Sequence, residues 1–173
     1  MSLHASDYDY LLPDELIARH PLAERTDSRL MILRRSTKAI EHRLFRDFPE
    51  FLPPGTLTVL NDTRVLPARA FSDDGRIELL FLEATGASSW KCLVKPGRRM
   101  RSGAAVEVGG VAGGVKGVLP EGEREIEFER EVDLDRVGQM PLPPYLGRES
   151  EPADIERYQT VFARMRGAVA APT

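Results

Sequence analysis

Leu57-Thr58-Val59-Leu60-Asn61-Asp62-Thr63-Arg64-Val65-Leu66-Pro67-Ala68-Arg69 is the stretch on which the reading of this chain turns. Its apolar and β-branched start, residues 57–60, predicts a strand with both faces covered. Asn61-Asp62-Thr63-Arg64 then places three hydrogen-bonding side chains and a guanidinium at the strand's end. Polar groups in that position either cap the next element or face a ligand. Two later clusters fit neither ordinary helix nor strand: Met140-Pro141-Leu142-Pro143-Pro144-Tyr145, and Arg157-Tyr158-Gln159-Thr160 leading to Gly167-Ala168-Val169-Ala170-Ala171-Pro172-Thr173.

Upstream, residues 13–19 predict a short helix, with proline in the first turn and acidic residues at the positive end of the dipole. It should stop before Pro21. Residues 29–33 and 40–45 predict a hairpin across Ser36-Thr37-Lys38. Residues 48–52 suit one helical turn, broken by Pro53-Pro54-Gly55. Downstream of Phe71 the pattern changes to short alternating segments between glycine-rich turns. Ile77, Leu79 and Phe81 share one face. Residues 90–94, 105–108, 115–119 and 125–129 follow, the last with Ile126 and Phe128 inward and its glutamates outward. Such a series predicts a small antiparallel barrel or sandwich. Gly109-Gly110 and Gly113-Gly114 lack the strand–glycines–helix setting of a phosphate loop. Residues 152–164 predict a helix with Ile155, Tyr158 and Val161 or Phe162 near one face. The fold class expected is α/β (α+β): a discontinuous α/β domain, residues 1–65 and 140–173, interrupted by an antiparallel β-barrel at 66–139.

The 173 residues suffice for one domain or two small ones. A net charge of −3 argues against a broad nucleic-acid-wrapping surface. A local basic cluster remains at Lys95, Arg98, Arg99 and Arg101; it either meets phosphate, for which arginine's planar fork is suited, or is a solvated turn. The lone Cys92 excludes an intramolecular disulfide and fits a reducing cytoplasm, most simply as a core thiol. Three scattered histidines give no metal-ligand spacing. No apolar run is long enough to span a bilayer, and Met1-Ser2-Leu3-His4 does not begin a secretory signal.

Taken together, these segments resemble the S-adenosylmethionine:tRNA ribosyltransferase-isomerase (QueA) family of queuosine biosynthesis. The resemblance is carried by Leu12-Pro13-Asp14-Glu15-Leu16-Ile17-Ala18, Pro21-Leu22-Ala23-Glu24-Arg25 with Ser28-Arg29-Leu30, and Asn61-Asp62-Thr63-Arg64-Val65 with Pro67-Ala68-Arg69. It continues through Val94-Lys95-Pro96-Gly97, Met140 to Tyr145, and Tyr158-Gln159-Thr160-Val161 running into Gly167 to Thr173. Each piece is weak alone; their order along nearly the whole chain makes the resemblance specific. Phe71-Ser72-Asp73-Asp74-Gly75 is shorter than the family's usual connection. Family members are about twice this long, so this chain corresponds to their N-terminal half.

The resemblance implies an α/β domain with an inserted barrel. It implies transfer of the ribosyl part of S-adenosylmethionine to 7-aminomethyl-7-deazaguanine at the tRNA wobble position, giving epoxyqueuosine-tRNA. S-adenosylmethionine is then a co-substrate, with no true cofactor and no metal. The partners expected are tRNA and S-adenosylmethionine, with no membrane, for a cytoplasmic monomer. A noncatalytic tRNA-binding module and an inactive N-terminal fragment are the alternatives.

Asp62 is the candidate catalytic residue, hydrogen-bonding the substrate base or a ribose hydroxyl, or else capping the following turn. Asn61 and Thr63 share that role or satisfy loop backbone. Arg64 meets a tRNA phosphate or the methionine carboxylate, or anchors its loop by a salt bridge. Tyr145 stacks on a base or packs on Pro143-Pro144. Tyr158 and Gln159 are candidates to line the site, although helical spacing alone suits Tyr158 to a core position. Gly167, Ala170, Ala171, Pro172 and Thr173 allow close backbone approach to a ligand, or form a tightly packed loop. Lys95, Arg98, Arg99 and Arg101 are the tRNA-binding candidates.

Overall fold

The chain's alternating apolar segments do become strands, and in a computed structural model residues 4–170 are described. Readings made at Met1–Leu3 and at Ala171, Pro172 and Thr173 lie outside the described residues. The molecule divides into two units: Met1–Val59 with Pro144–Arg148, and Leu60–Pro143 with Glu149–Thr173.

In the first unit, the hairpin read from sequence is present as β1 (Arg29–Arg34) and β2 (Ala39–Leu44), antiparallel, with Leu33 opposite Ile40. Lys38 adopts the left-handed conformation (φ 59°) at the turn. The turn expected at 48–52 is a longer 3-10 segment, Phe45–Phe51, in which Phe45 and Phe48 stack at 5.5 Å. The helix expected over 13–19 is only one 3-10 turn, Asp14–Leu16. A helix this short cannot repay its nucleation cost without burying a face, and Leu16 is exposed. Arg34 donates to Glu41 at 2.5 Å, which holds the Glu41 carboxyl below its ordinary range. None of this unit's described residues is buried.

The second unit begins with β3 (Thr63–Val65) and β4 (Arg69–Phe71), followed by β5 (Glu78–Ala84) and β6 (Ser89–Lys95). β7 (Ala105–Val108), β8 (Val111–Val118) and β9 (Arg124–Phe128) complete a six-stranded antiparallel sheet of order β4-β5-β6-β9-β8-β7. Then come α1 (Leu134–Val137), α2 (Asp154–Arg157) and β10 (Met165–Ala168). The chain is thus mixed α/β but mostly strand.

Alternation does what the sequence implied. Ile77, Leu79 and Phe81 are buried together with Cys92, Val115, Ile126 and Phe128 on the sheet's inner face. Phe81 meets Phe128 at 5.8 Å and Trp90 edge-on at 5.4 Å. Burial pushes the Cys92 thiol up to about 12. Gly109 (φ 59°) and Gly110 (φ 74°) make the β7–β8 hairpin turn, which needs positive φ at both central positions. Gly113 lies within β8, where a Cβ would sit 2.5 Å from the Phe128 ring. The sheet curls. The Asp73 N–H after β4 donates to Glu107 O of β7 at 2.8 Å, and the Asp73 carboxylate accepts from Gly109 N and Gly110 N at 2.6 and 2.7 Å. The ladder itself runs from β4 to β7 without pairing those two strands.

Two further expectations are corrected. Residues 57–60 form no strand, and Leu57 and Val59 are each 87% exposed. Pairing starts instead at Thr63, because β10 offers ladder partners only there. The helix expected over 152–164 is four residues long, and Ile155, Val161 and Phe162 are exposed. Ile155 lines a cavity beside Val65, but Val161 and Phe162 beyond it are exposed, so nothing sustains the later turns. Strands β4 and β10 and the Asp133-capped α1 had no clear sequence pattern; each is too short to show a period.

Candidate functional site

β3 and β10 form a two-stranded parallel sheet, pairing Thr63 with Met165 and Arg64 with Arg166. Register shifts between Arg166 and Ala168, so Gly167 sits at a bulge. This pairing joins the two segments singled out in sequence, Asn61–Arg64 and the run beginning at Gly167.

Each polar residue of Asn61–Arg64 has defined partners. Asn61 Oδ1 accepts from Thr63 N at 2.9 Å, a local turn that orients the strand entry, and Asn61 O accepts from the Thr160 hydroxyl at 2.9 Å. Asp62 O accepts from Arg164 N and Met165 N at 2.6 and 2.9 Å. The Asp62 carboxylate pairs with the Arg164 guanidinium at 2.8 Å, and 44% of its side chain remains exposed. Arg64 is paired with Glu156 of α2. Gln159 is buried, and its amide substitutes for a neighbouring strand. Val65 N donates to its Oε1 at 2.8 Å, while its Nε2 donates to Val65 O at 3.0 Å and to Ile155 O at 3.1 Å. The Gln159 side chain is therefore committed to main chain and holds the end of β3.

Arg166 and Asp135 were not singled out from sequence. Arg166 Nη1 and Nη2 donate to the two Asp135 oxygens at 2.9 and 3.0 Å, a planar fork-to-fork pair. The Arg166 hydrogen bond holds the Asp135 carboxyl below its ordinary range, with Arg64 adding to the effect. The same contact raises the Arg166 guanidinium. Two cavities flank this pair. One, of about 500 Å³, is walled by Leu66, Trp90, Val132 and Leu134, with Asp135 and Arg166 at its edge. The other, of about 290 Å³, lies against Arg64, Val65, Met140 and Gln159 and shares Asp135 and Arg166. No sequence spacing joins 135 to 166; only the β3–β10 pairing places them together.

The remaining candidates lie elsewhere. Tyr145 belongs to the first unit and is 65% exposed. Ala170 lies in an exposed bend just after β10. Lys95 ends β6, Arg98 and Arg99 occupy the 3-10 turn Gly97–Arg99, and Arg101 follows; all are exposed. That loop is held from beneath by buried Arg124, which donates to Met100 O at 2.5 Å and to Gly97 O at 3.0 Å. Lys95 and Trp90 stand roughly 17 Å apart along β6 at the strand rise of ~3.3 Å per residue, so the basic loop and the larger cavity lie toward opposite ends of that strand. Among the described residues no cluster of three or more His, Cys, Asp or Glu is placed to hold a metal ion, and no helix is long and apolar enough to cross a membrane.

Residues 5–173 match the family described as "Queuosine biosynthesis protein". The chain belongs to that family. It is 48% identical over 181 residues to the S-adenosylmethionine:tRNA ribosyltransferase-isomerase of Halothermothrix orenii, covering 99% of this chain and 52% of that protein. It is also 48% identical over 178 residues to the protein of the same name from Pelobacter propionicus, covering 96% and 52%. The solved S-adenosylmethionine tRNA ribosyltransferase of Thermotoga maritima is 33% identical, with 94% of this chain and 56% of that one covered at a TM-score of 0.37. The chain spans about half the length of the curated relatives it matches.

Proposed function

We propose that this chain is the N-terminal half of an enzyme that moves the ribosyl part of S-adenosylmethionine onto 7-aminomethyl-7-deazaguanine in tRNA, forming epoxyqueuosine-tRNA. The main support is the family match along residues 5–173, within which Asn61–Arg64 and 164–168 are brought side by side. In the same proposal residues 1–65 and 140–173 belong to a discontinuous α/β domain around a barrel insert at 66–139. The parallel β3–β10 pair, whose strands precede and follow the curled sheet in the chain, supports the sheet's being an insertion between them. The enzyme is read as a cytoplasmic monomer without a true cofactor.

The reaction needs a proton removed beside the sulfonium, departure of adenine, attack by the aminomethyl nitrogen and loss of methionine. Each step develops or moves charge, so oriented polar groups must stand in for water. Asp62 supplies a half-exposed carboxylate whose orientation is set by Arg164, suited to accept a hydrogen bond from the substrate base or a ribose hydroxyl. Asn61 and Thr63 shape the turn that presents it. Arg64 offers a guanidinium for a carboxylate or phosphate, held in place by Glu156. Gln159 lines the smaller cavity for the substrate and at the same time holds Val65 through its amide. Gly167 and Ala170, both small, let backbone approach the ligand. Tyr145 presents an exposed aromatic ring for a base, and Lys95, Arg98, Arg99 and Arg101 present exposed cations for tRNA phosphates.

The test is adenine release from S-adenosylmethionine with tRNA bearing 7-aminomethyl-7-deazaguanine. It is run with this chain and with a polypeptide carrying it at the relatives' full length. Release by the longer protein that depends on the modified base supports the proposal. Absence of release from the longer protein would sink it, and salt-sensitive tRNA binding without release would favour a binding module instead.

A further inference from the structure

We propose that the cavity beside Trp90 seats a flat nitrogen heterocycle carrying a cationic arm, with the ring against the indole and the arm toward Glu131 and Asp133. Its volume of about 500 Å³ is that of a small-molecule site. Trp90 lies two residues from inward-facing Cys92 on the same strand, so it shares the inner face at one end of the curled sheet. Its ring is held edge-on to Phe81 at 5.4 Å, so little side-chain freedom is lost when a ligand packs there. Leu66, Val132 and Leu134 extend the apolar wall. On the β10 side, nothing lies within 4 Å of where a Gly167 Cβ would be, which leaves room for a ring to enter.

Charge selects the ligand. Arg166, the cavity's only cationic lining residue, has both terminal nitrogens on Asp135. Asp133 accepts from Arg136 N through Oδ1 at 3.2 Å and also acts on Arg166 through space, and Glu131 is exposed. The lining thus sets three carboxylates, Glu131, Asp133 and Asp135, against the single guanidinium of Arg166 and is net acidic. A phosphate is disfavoured there, and a cation next to an aromatic body is favoured. Both small reactive groups of the proposed reaction share this chemistry: S-adenosylmethionine has an adenine, a sulfonium and an ammonium, and 7-aminomethyl-7-deazaguanine has a fused heterocycle with an aminomethyl cation. The choice of these two probes rests on the proposed function; the ligand class comes from the cavity.

Trp90 is the only tryptophan in the chain, so one indole N–H resonance in a nitrogen–proton correlation spectrum reports on this wall. The 173-residue chain is titrated separately with S-adenosylmethionine and with 7-aminomethyl-7-deazaguanine. Adenosine and 7-deazaguanine serve as partners without the cation. A saturable shift of the indole resonance is expected with at least one cationic probe, and the probe that acts identifies which reactant the cavity takes. The uncharged partner should bind about two- to fivefold more weakly, the scale of one partly solvated charge contact. Glu131→Gln should weaken the cationic probe by a similar factor and leave the uncharged one unchanged, with the rest of the spectrum intact. An indole resonance unmoved by both cationic probes at millimolar concentration overturns the assignment, as does equal binding of charged and uncharged partners. Adenine release by the longer enzyme alongside a silent indole removes this site alone. A responding indole without adenine release removes the reaction and leaves the site standing.

Discussion

β1 and β5 are built from nearly the same pattern: Leu30-Met31-Ile32-Leu33 between arginines, and Leu79-Leu80-Phe81-Leu82 between glutamates. In β5, Leu79 and Phe81 are fully buried and Leu80 and Leu82 half-buried, whereas in β1 the matching Leu30 and Ile32 are only half-buried and Met31 and Leu33 are 65% and 60% exposed. Both strands alternate; their surroundings differ. β5 lies between β4 and β6 in a sheet that curls over its own inner face, while β1 pairs only with β2. A two-stranded ribbon presents an apolar face but cannot cover it, and three or more strands or a packed helix are needed. Apolar patterning thus states what a strand can bury, and neighbours decide whether it does.

The widest separation between the two regions is expected from truncating one core ring and one hairpin side chain. Phe81→Ala should cost about 3–5 kcal/mol, because its contacts with Trp90 and Phe128 are lost and a cavity remains. Met31→Ala should cost no more than about 0.5 kcal/mol. Chemical denaturation followed by circular dichroism measures both, and equal losses would erase the distinction.

Gln159→Leu asks whether the β3–β10 pair belongs energetically with the core. It strips partners from Val65 N–H and Val65 C=O at a buried position. A loss of about 2–4 kcal/mol is expected, since each buried group left unpaired carries its own desolvation penalty. A neutral result would place this sheet with the β1–β2 hairpin.

A finer comparison lies within β8. Gly113→Ala drives a methyl to 2.5 Å from the Phe128 ring, and a loss of about 1–3 kcal/mol is expected by the same denaturation assay. Gly114→Ala meets nothing within 4 Å and should differ from the parent by less than about 1 kcal/mol. Reversal of that order would mean the inner face is less tightly filled than the Phe128 contact implies.

The smallest effect near neutral pH concerns Cys92. Burial raises its thiol to about 12 in the folded chain, above the ordinary value near 8.5. The folded state therefore keeps a proton that the unfolded state gives up. The resulting stability is intact below about pH 8.5 and is lost as pH climbs toward 12. Ellman's reagent should leave the folded protein unmodified at pH 8, and Cys92→Ala should flatten the alkaline part of the stability profile. Prompt labelling at pH 8 would show that this part of the core opens as readily as the first unit.

Much of the architecture was legible because it depends on period and punctuation. The β1–β2 hairpin, the inward faces of β5 and β9, the buried Cys92 and the antiparallel class of the central sheet follow from alternation between turn residues, a signal carried within a few residues. Asn61–Arg64 also stood out, because polar groups rarely follow an apolar run without a task. Other features were out of reach for definite reasons. β3, β4 and β10 are three or four residues long, too short to display a period. The apolar stretch at 57–60 met every local criterion for a strand and formed none, because a ladder needs a partner. Gln159 is a site-lining candidate on the family resemblance and does line the smaller cavity, but no local pattern shows that its amide also serves Val65 as a surrogate strand edge. Asp135 and Arg166 are 31 residues apart with no pattern between them, and their fork exists only because β10 returns beside β3 in parallel. Local sequence determines which residues favour extension, turns or burial. Which of them find a neighbour, and which charges meet, is set by contacts distant along the chain, and only tertiary structure supplies those.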